Sequence, residues 1–266
     1  MRWLFRIGGR IAPRLAARVM ATLVSQPRGR NPTQQWELDA LPGRAMELRP
    51  GLIAESWGES GPLVLALHGW RGRTTQFRPL AAALLARGFR TIAVDLPGHG
   101  GSAGEHATPH LLGEMLIELA TALGPVHTAI GHSFGGAAIG AALAYGFRPS
   151  RMVIVSSPTR VSKIPFIYAG MLGLPERAMP YFAKLMDEHA GRPIAELDLV
   201  STAPGCGIPA LLVHDTEDAV IPYGEAQLLA AAWPELQFMT TTGKGHRDIL
   251  SHDAVLQRIT EFVAGK

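Results

Sequence analysis

Hydrophobic residues in this chain fall into short continuous runs that alternate with stretches at helical spacing. Positions 63–67 are apolar throughout, and Phe77, Leu80, Ala81 and Leu84 then recur every three or four residues until Gly88 breaks the series. Run followed by stripe predicts a strand followed by a helix. The order repeats. A strand is expected at 91–94. Thr108 can cap a helix that opens on Pro109, carries its stripe on Leu112, Met115, Leu116, Leu119 and Leu123, and stops at Gly124-Pro125. The run at 126–130 leads into a helix to about residue 146, where Gly135, Gly136, Ala137, Ala138 and Gly140 leave it thin enough to lie close against a sheet. Two short strands around Pro50-Gly51 fit 44–57; later strands fit 152–155, 210–213 and 236–239, with helices near 223–232 and 253–264. Strands that are apolar on both faces and alternate with helices predict a mostly parallel sheet covered on both sides. Residues 158–205 interrupt the rhythm. They far exceed the usual connection of about 2 to 6 residues, and Pro165, Pro175, Pro180 and Pro193 cut them into short helical pieces. A lid inserted between two strands is expected there.

A length of 266 residues suits one large domain. No apolar run approaches the roughly 18 residues that a bilayer span needs. The single cysteine, Cys206, leaves no internal disulfide, which fits a reducing, cytoplasmic setting. An isoelectric point near 9.3 suggests a basic protein, but the charge is unevenly placed. Residues 1–36 hold seven arginines and no acid, which leaves 18 basic against 22 acidic residues in 37–266, a formal charge of −4. The body is therefore mildly acidic, which argues against a nucleic-acid partner and sets the leader apart. The expected division is a basic N-terminal helix and linker at 1–36 and a larger domain at 37–266. Within the leader, Arg2, Arg6, Arg10, Arg14 and Arg18 recur every four residues, and Ile7, Ile11, Leu15 and Val19 follow the last four by one step. That pattern predicts an amphipathic helix over 1–26. It fits peripheral contact with an anionic membrane, or packing on a domain of opposite charge. Arginines interrupt the apolar positions too often for a cleaved secretory signal.

The segment with most chemical content is Gly131-His132-Ser133-Phe134-Gly135, at the corner between the run at 126–130 and the thin helix. A serine at such a strained corner needs small flanking residues, because a β-carbon there would clash with the strand or helix that the turn brings together. The serine hydroxyl is left exposed, with the Phe134 N–H directed at the same space. A hydroxyl is a poor nucleophile unless a base lies within hydrogen-bond reach and a third group holds that base. His246, in Gly243-Lys244-Gly245-His246, can supply the base, and the segment 214–222 offers Asp215, Glu217 and Asp218 as the third group.

With Leu67-His68-Gly69-Trp70 and Asp95-Leu96-Pro97-Gly98-His99-Gly100, these segments resemble the α/β-hydrolase superfamily, in its serine esterase, lipase and thioesterase branch, over about residues 44–264. The resemblance implies an α/β-hydrolase fold: a mostly parallel central sheet, helices on both faces and a short helical lid. It implies Ser133 as nucleophile, His246 as general base and acid, and Asp218 as orienting acid. The family's acid sits shortly before a Val/Ile-Pro pair, here Ile221-Pro222. Asp215, nearer the strand end, reads as a turn residue. Backbone amides of Trp70 and Phe134 are the implied oxyanion donors. The Asp95–Gly100 loop is structural in the family, and His132 reads as a packing or supporting residue. The implied reaction is hydrolysis of a small-molecule acyl ester or thioester through an acyl-enzyme. Carbon–carbon, lactone or amide hydrolysis and acyl transfer use the same three residues, and a non-catalytic scaffold on this fold is the alternative from another class. Haloalkane dehalogenases and epoxide hydrolases carry aspartate where this chain has Ser133. The remaining histidines lack metal-ligand spacing, so neither metal nor cofactor is expected.

Overall fold

The computed structural model describes residues 2–265. Two helices, α1 (Arg2–Ile11) and α2 (Pro13–Ser25), come first. The single helix expected over 1–26 is thus divided, because Pro13 has no N–H to donate to the preceding turn and starts a new helix instead; Met1 lies outside the described residues. A strap at 26–34 leads to the short α3 (Gln35–Asp39), which the hydrophobic pattern did not mark. The body then runs β1 (Arg44–Arg49), β2 (Leu52–Trp57), β3 (Leu63–Leu67), α4 (Arg78–Leu85), β4 (Arg90–Val94), α5 (Pro109–Leu123), β5 (Val126–His132), α6 (Phe134–Ala144) and β6 (Arg151–Val155). The insertion contributes α7 (Ile164–Met171), α8 (Met179–Ala190) and α9 (Leu199–Thr202), and the chain ends with β7 (Ala210–Asp215), α10 (Tyr223–Ala232), β8 (Gln237–Thr241) and α11 (Asp253–Val263).

The eight strands form one sheet in the order β1-β2-β4-β3-β5-β6-β7-β8. Only the β1-β2 and β2-β4 pairings are antiparallel. Alternation along each strand sorts the core into two layers. Leu63, Leu65 and Leu67 of β3, with Met152 and Ile154 of β6, face Leu112, Met115 and Leu116 of α5 and Ala138 of α6. Val64, Ala66, Val153 and Val155 face Leu80 and Leu84 of α4 and Ile259 and Phe262 of α11. The fold is the α/β-hydrolase architecture, with a helical insertion between β6 and β7.

Close packing at the β5–α6 corner dictates its glycines. A Cβ on Gly135 would stand 2.0 Å from the Leu67 carbonyl oxygen of β3, and one on Gly131 would stand 2.4 Å from the Gly136 nitrogen. Between them Ser133 takes φ 54° and ψ −121°. Two histidines tie the neighbouring strand ends. His68 donates from Nδ1 to the Gly69 carbonyl (2.8 Å) and accepts at Nε2 from the Leu96 amide (3.0 Å), joining the ends of β3 and β4. His132 donates from Nε2 to the His246 carbonyl (2.7 Å), leaving Nδ1 without a protein partner among the described residues. Both rings are buried, and burial, helped by neighbouring positive or ionisable groups, depresses each to a pKa of about 3.

Two measurements check these constraints. Gly135→Ala should cost at least about 3 kcal/mol in urea denaturation, because backbone must move. Gly170→Ala, in α7 with open space around it, should be neutral or stabilising by up to about 1 kcal/mol; equal effects of the two would refute the close approach. Stability should also fall with acid above the carboxylate range. Unfolded histidines take up protons near pH 6.5 while His68 and His132 refuse them until about pH 3, so each removes roughly 1 kcal/mol per pH unit below about 6.5. Denaturation profiles between about pH 6.5 and 5 should show that slope, reduced in His132→Gln; a flat profile would mean that the folded rings accept protons.

Candidate active site

Four chain segments converge at the C-terminal end of the parallel strands. β5 delivers Ser133, the loop after β3 brings Gly69 and Trp70, the loop after β7 holds Asp218, and the loop after β8 carries His246. His246 Nε2 lies 3.1 Å from Ser133 Oγ, and its Nδ1 lies 2.7 Å from Asp218 Oδ2. The geometry fixes the protons: Nδ1–H donates to the carboxylate, so Nε2 is free to accept from the hydroxyl. Ser133 is buried, at 7% exposure, rather than left exposed as the corner predicts.

Of the three carboxylates between 214 and 222, Asp218 alone meets the imidazole among the described residues. Its other oxygen accepts the amides of Val220 and Ile221, both at 2.8 Å. Burial opposes its charge, but the hydrogen bond and charge of His246 and those two amides outweigh it and hold the carboxyl below the ordinary aspartate range. Asp215 faces elsewhere. It accepts from Thr241 Oγ1 (2.6 Å), the Lys244 amide (2.9 Å) and the Glu217 amide (3.0 Å), which ties β7 to the loop that leads to His246. His214, beneath them, donates to the Ile221 carbonyl at 3.0 Å and steadies the turn that carries Asp218.

Gly69 has to be glycine for steric reasons: a Cβ there would come within 2.7 Å of Ser133 Cβ. Its absence lets the 68–72 turn lie beside the serine, and the Trp70 ring meets Phe134 edge-on at 5.1 Å and His99 at 5.3 Å. Asp95 takes no part at the serine. It accepts the Thr74 and Gly101 amides, each at 2.7 Å, and so ties the 95–101 loop to the segment after Trp70.

Several supports lie where the sequence pattern gave no signal. Ser157, just past β6, donates to the Ser133 carbonyl at 2.8 Å. Asn31, in the strap, donates from Nδ2 to the Trp70 carbonyl (3.1 Å) and from its amide to the Arg71 carbonyl (2.9 Å). Arg247, next to His246, donates to the Pro32 carbonyl (2.8 Å) and to buried Glu37 (3.2 Å). The segment read from sequence as a linker is therefore fastened to both loops of the site. In the insertion, Phe182 and Met186 are buried in its own core with Met20 of α2 and Ala137 of α6, whereas Tyr168 and Met171 are exposed.

Residues 63–258 match the family model described as "Alpha/beta hydrolase family". Among curated proteins, the chain is 29% identical over 246 residues to a pimeloyl-[acyl-carrier protein] methyl ester esterase of Xanthomonas axonopodis pv. citri, covering 77% of this chain and 96% of that one. It is 33% identical over 109 residues to a human serine hydrolase-like protein, covering 37% and 53% of the two chains. Among solved structures it is similar to a thermophilic esterase from Thermogutta terrifontis (TM-score 0.59, 22% identity, 85% of this chain and 98% of that one). It is also similar to the meta-cleavage product hydrolase CumD from Pseudomonas fluorescens (TM-score 0.62, 19% identity, 84% and 98%). The sheet order, the strained corner at Ser133 and the family match lead to one conclusion: the chain belongs to the alpha/beta hydrolase family.

Proposed function

We propose that this protein is a serine esterase that hydrolyses a small carboxylic ester through an acyl-enzyme on Ser133. One observation carries the reading: a buried carboxylate, an imidazole and a hydroxyl lie in line, at 2.7 Å and 3.1 Å, at a backbone-strained corner. As Ser133 Oγ attacks the ester carbonyl carbon, its proton passes to His246 Nε2, and Asp218 stabilises the imidazolium and fixes its tautomer. The amides of Trp70 and Phe134 receive the developing oxyanion. His246 then protonates the departing alcohol, takes a proton from water as that water attacks the acyl carbon, and returns it to Ser133.

The curated relatives support an ester of an acyl group with a small alcohol, since several at 27–29% identity are named for a methyl ester. Trp70 and Phe134, whose rings meet edge to face at 5.1 Å, are assigned to the hydrocarbon part of such a substrate. The insertion, which leaves β6 beside Ser157, is assigned as the lid. No part of this mechanism needs a metal or an organic cofactor.

Ser133→Ala should lower turnover of p-nitrophenyl esters by about 10⁴-fold or more with the melting temperature unchanged, since the lost hydroxyl fills no core volume. Matched methyl esters and thioesters across chain lengths, with a lactone, locate the substrate class: faster thioester or lactone turnover would displace the ester reading, and near-native activity of the alanine variant would end it. A second comparison tests the acid. Asp218→Asn should be far more damaging than Asp215→Asn at equal stability, because only the former lets the wrong nitrogen of His246 carry the proton; the reverse ranking would reassign the role.

A further inference from the structure

The first two helices leave an apolar surface that the hydrolase site does not use. On one side the hairpin is packed. Phe5, Ala16, Ala17, Met20 and Ala21 are buried, α2 lies along α8, and Gly9 of α1 approaches Pro175 so closely that a Cβ would fall 2.6 Å from its ring. On the other side Trp3 is 69%, Ile11 81% and Leu15 61% exposed, with Ile7 and Val19 beside them. Between the helices runs an open groove of about 480 Å³ lined by Phe5, Gly8, Ile11, Ala12, Leu15 and Val19, with almost no polar surface. A patch of this kind on a water-exposed face calls for an occupant.

Its charge indicates which occupant. Arg2, Arg6, Arg10, Arg14 and Arg18 are all exposed on the same two helices, and among the described residues none has a carboxylate within ion-pair distance. At about 100° per residue, Arg2, Arg6 and Arg10 form a stripe along α1 directly beside Trp3, Ile7 and Ile11. A second copy of the chain seated on this face would bring five guanidinium groups against five others, so self-association is electrostatically opposed. A bilayer with anionic headgroups fits both features: isoleucine, leucine and tryptophan enter the acyl boundary while arginine stems lie flat and their heads reach phosphate. Neither helix can cross. No described helix is long and apolar enough, so the hairpin would lie in the plane of the surface.

We infer that the solvent face of the α1–α2 hairpin is a docking surface for an anionic lipid bilayer. Docking there holds the protein by its insertion side, since α2 packs on α7 and α8, and α7 itself leaves Ile167, Tyr168 and Met171 exposed.

Co-sedimentation of the full chain with vesicles tests this independently of the proposed reaction. Partition onto phosphatidylcholine vesicles containing about one-third phosphatidylglycerol should exceed that onto phosphatidylcholine alone by about tenfold or more, and should fall by a similar factor between roughly 0.05 M and 0.5 M salt. Ile11→Ser with Leu15→Ser should abolish binding to both vesicle types, and Arg6→Gln with Arg10→Gln should remove the preference for the anionic ones. All four residues are exposed, so melting temperature and hydrolysis of a soluble ester should stay at the parent level. Equal, salt-insensitive partition of parent and variants would overturn the proposal. So would a dimer in size-exclusion chromatography that the Ile11/Leu15 variant dissociates, because the patch would then be a contact between copies.

Discussion

Ser133 is held at φ 54°, a conformation that costs a non-glycine residue about 1 to 3 kcal/mol, and most of the site follows from how that cost is met. The corner cannot relax toward ordinary backbone, because α6 is pressed against β3 closely enough to exclude a Cβ at Gly135. Three bonds clamp it: the Ser133 amide donates to the Val155 carbonyl at 2.9 Å, Ser157 donates to the Ser133 carbonyl, and His132 donates to the His246 carbonyl. The last of these matters beyond the corner. It joins the backbone that carries the serine to the backbone that carries the imidazole, so the 3.1 Å between Ser133 and His246 is set by main chain as well as by side-chain rotamers.

That arrangement puts buried neutral histidines at the centre of the molecule. His68 and His132 each spend a ring N–H on a carbonyl and are shielded from water, so both rings stay uncharged. Asp218 lies at the other extreme. Two amides and the imidazole satisfy its oxygens, and it stays ionised although its side chain is fully buried. In the proposed reaction, these opposed settings of adjacent titratable groups leave His246 to carry the proton.

Much of this was legible in the sequence because it is local. Continuous apolar runs gave the inner parallel strands to within a few residues, since burial on both faces leaves little room for polar positions, whereas β8 at the sheet edge is mostly exposed. The Gly-x-Ser-x-Gly spacing gave the corner, because a close approach of helix to strand admits few residue types. The Ile221-Pro222 pair singled out Asp218 and the family resemblance pointed to His246, and folding brings the two within 2.7 Å. Asn31, Ser157, Glu37 and Arg247 were not, for a physical reason: they act through hydrogen bonds to groups that folding brings near, and such bonds impose no periodicity. The division at Pro13 was missed differently. The four-residue arginine repeat runs unbroken through the proline, so amphipathic pattern and backbone chemistry gave conflicting signals, and the missing N–H prevailed.

The strap between the hairpin and the body turns these remote bonds into a connected path. Ser25, the last residue of α2, is hydrogen-bonded through its Oγ to His106 at 2.8 Å and accepts the Ala107 amide. Pro27 lies against Gly98, Asn31 holds the Trp70 turn, and Arg73 donates to Thr33 Oγ1 and to the Asn31 carbonyl. Arg247 completes the run at Pro32 and Glu37, one residue from the imidazole. The chain from α2 to α3 thus touches the loop after β4, the turn after β3 and the loop after β8 in succession. These contacts are polar and lie on loops, whereas the sheet beneath is held by two apolar layers.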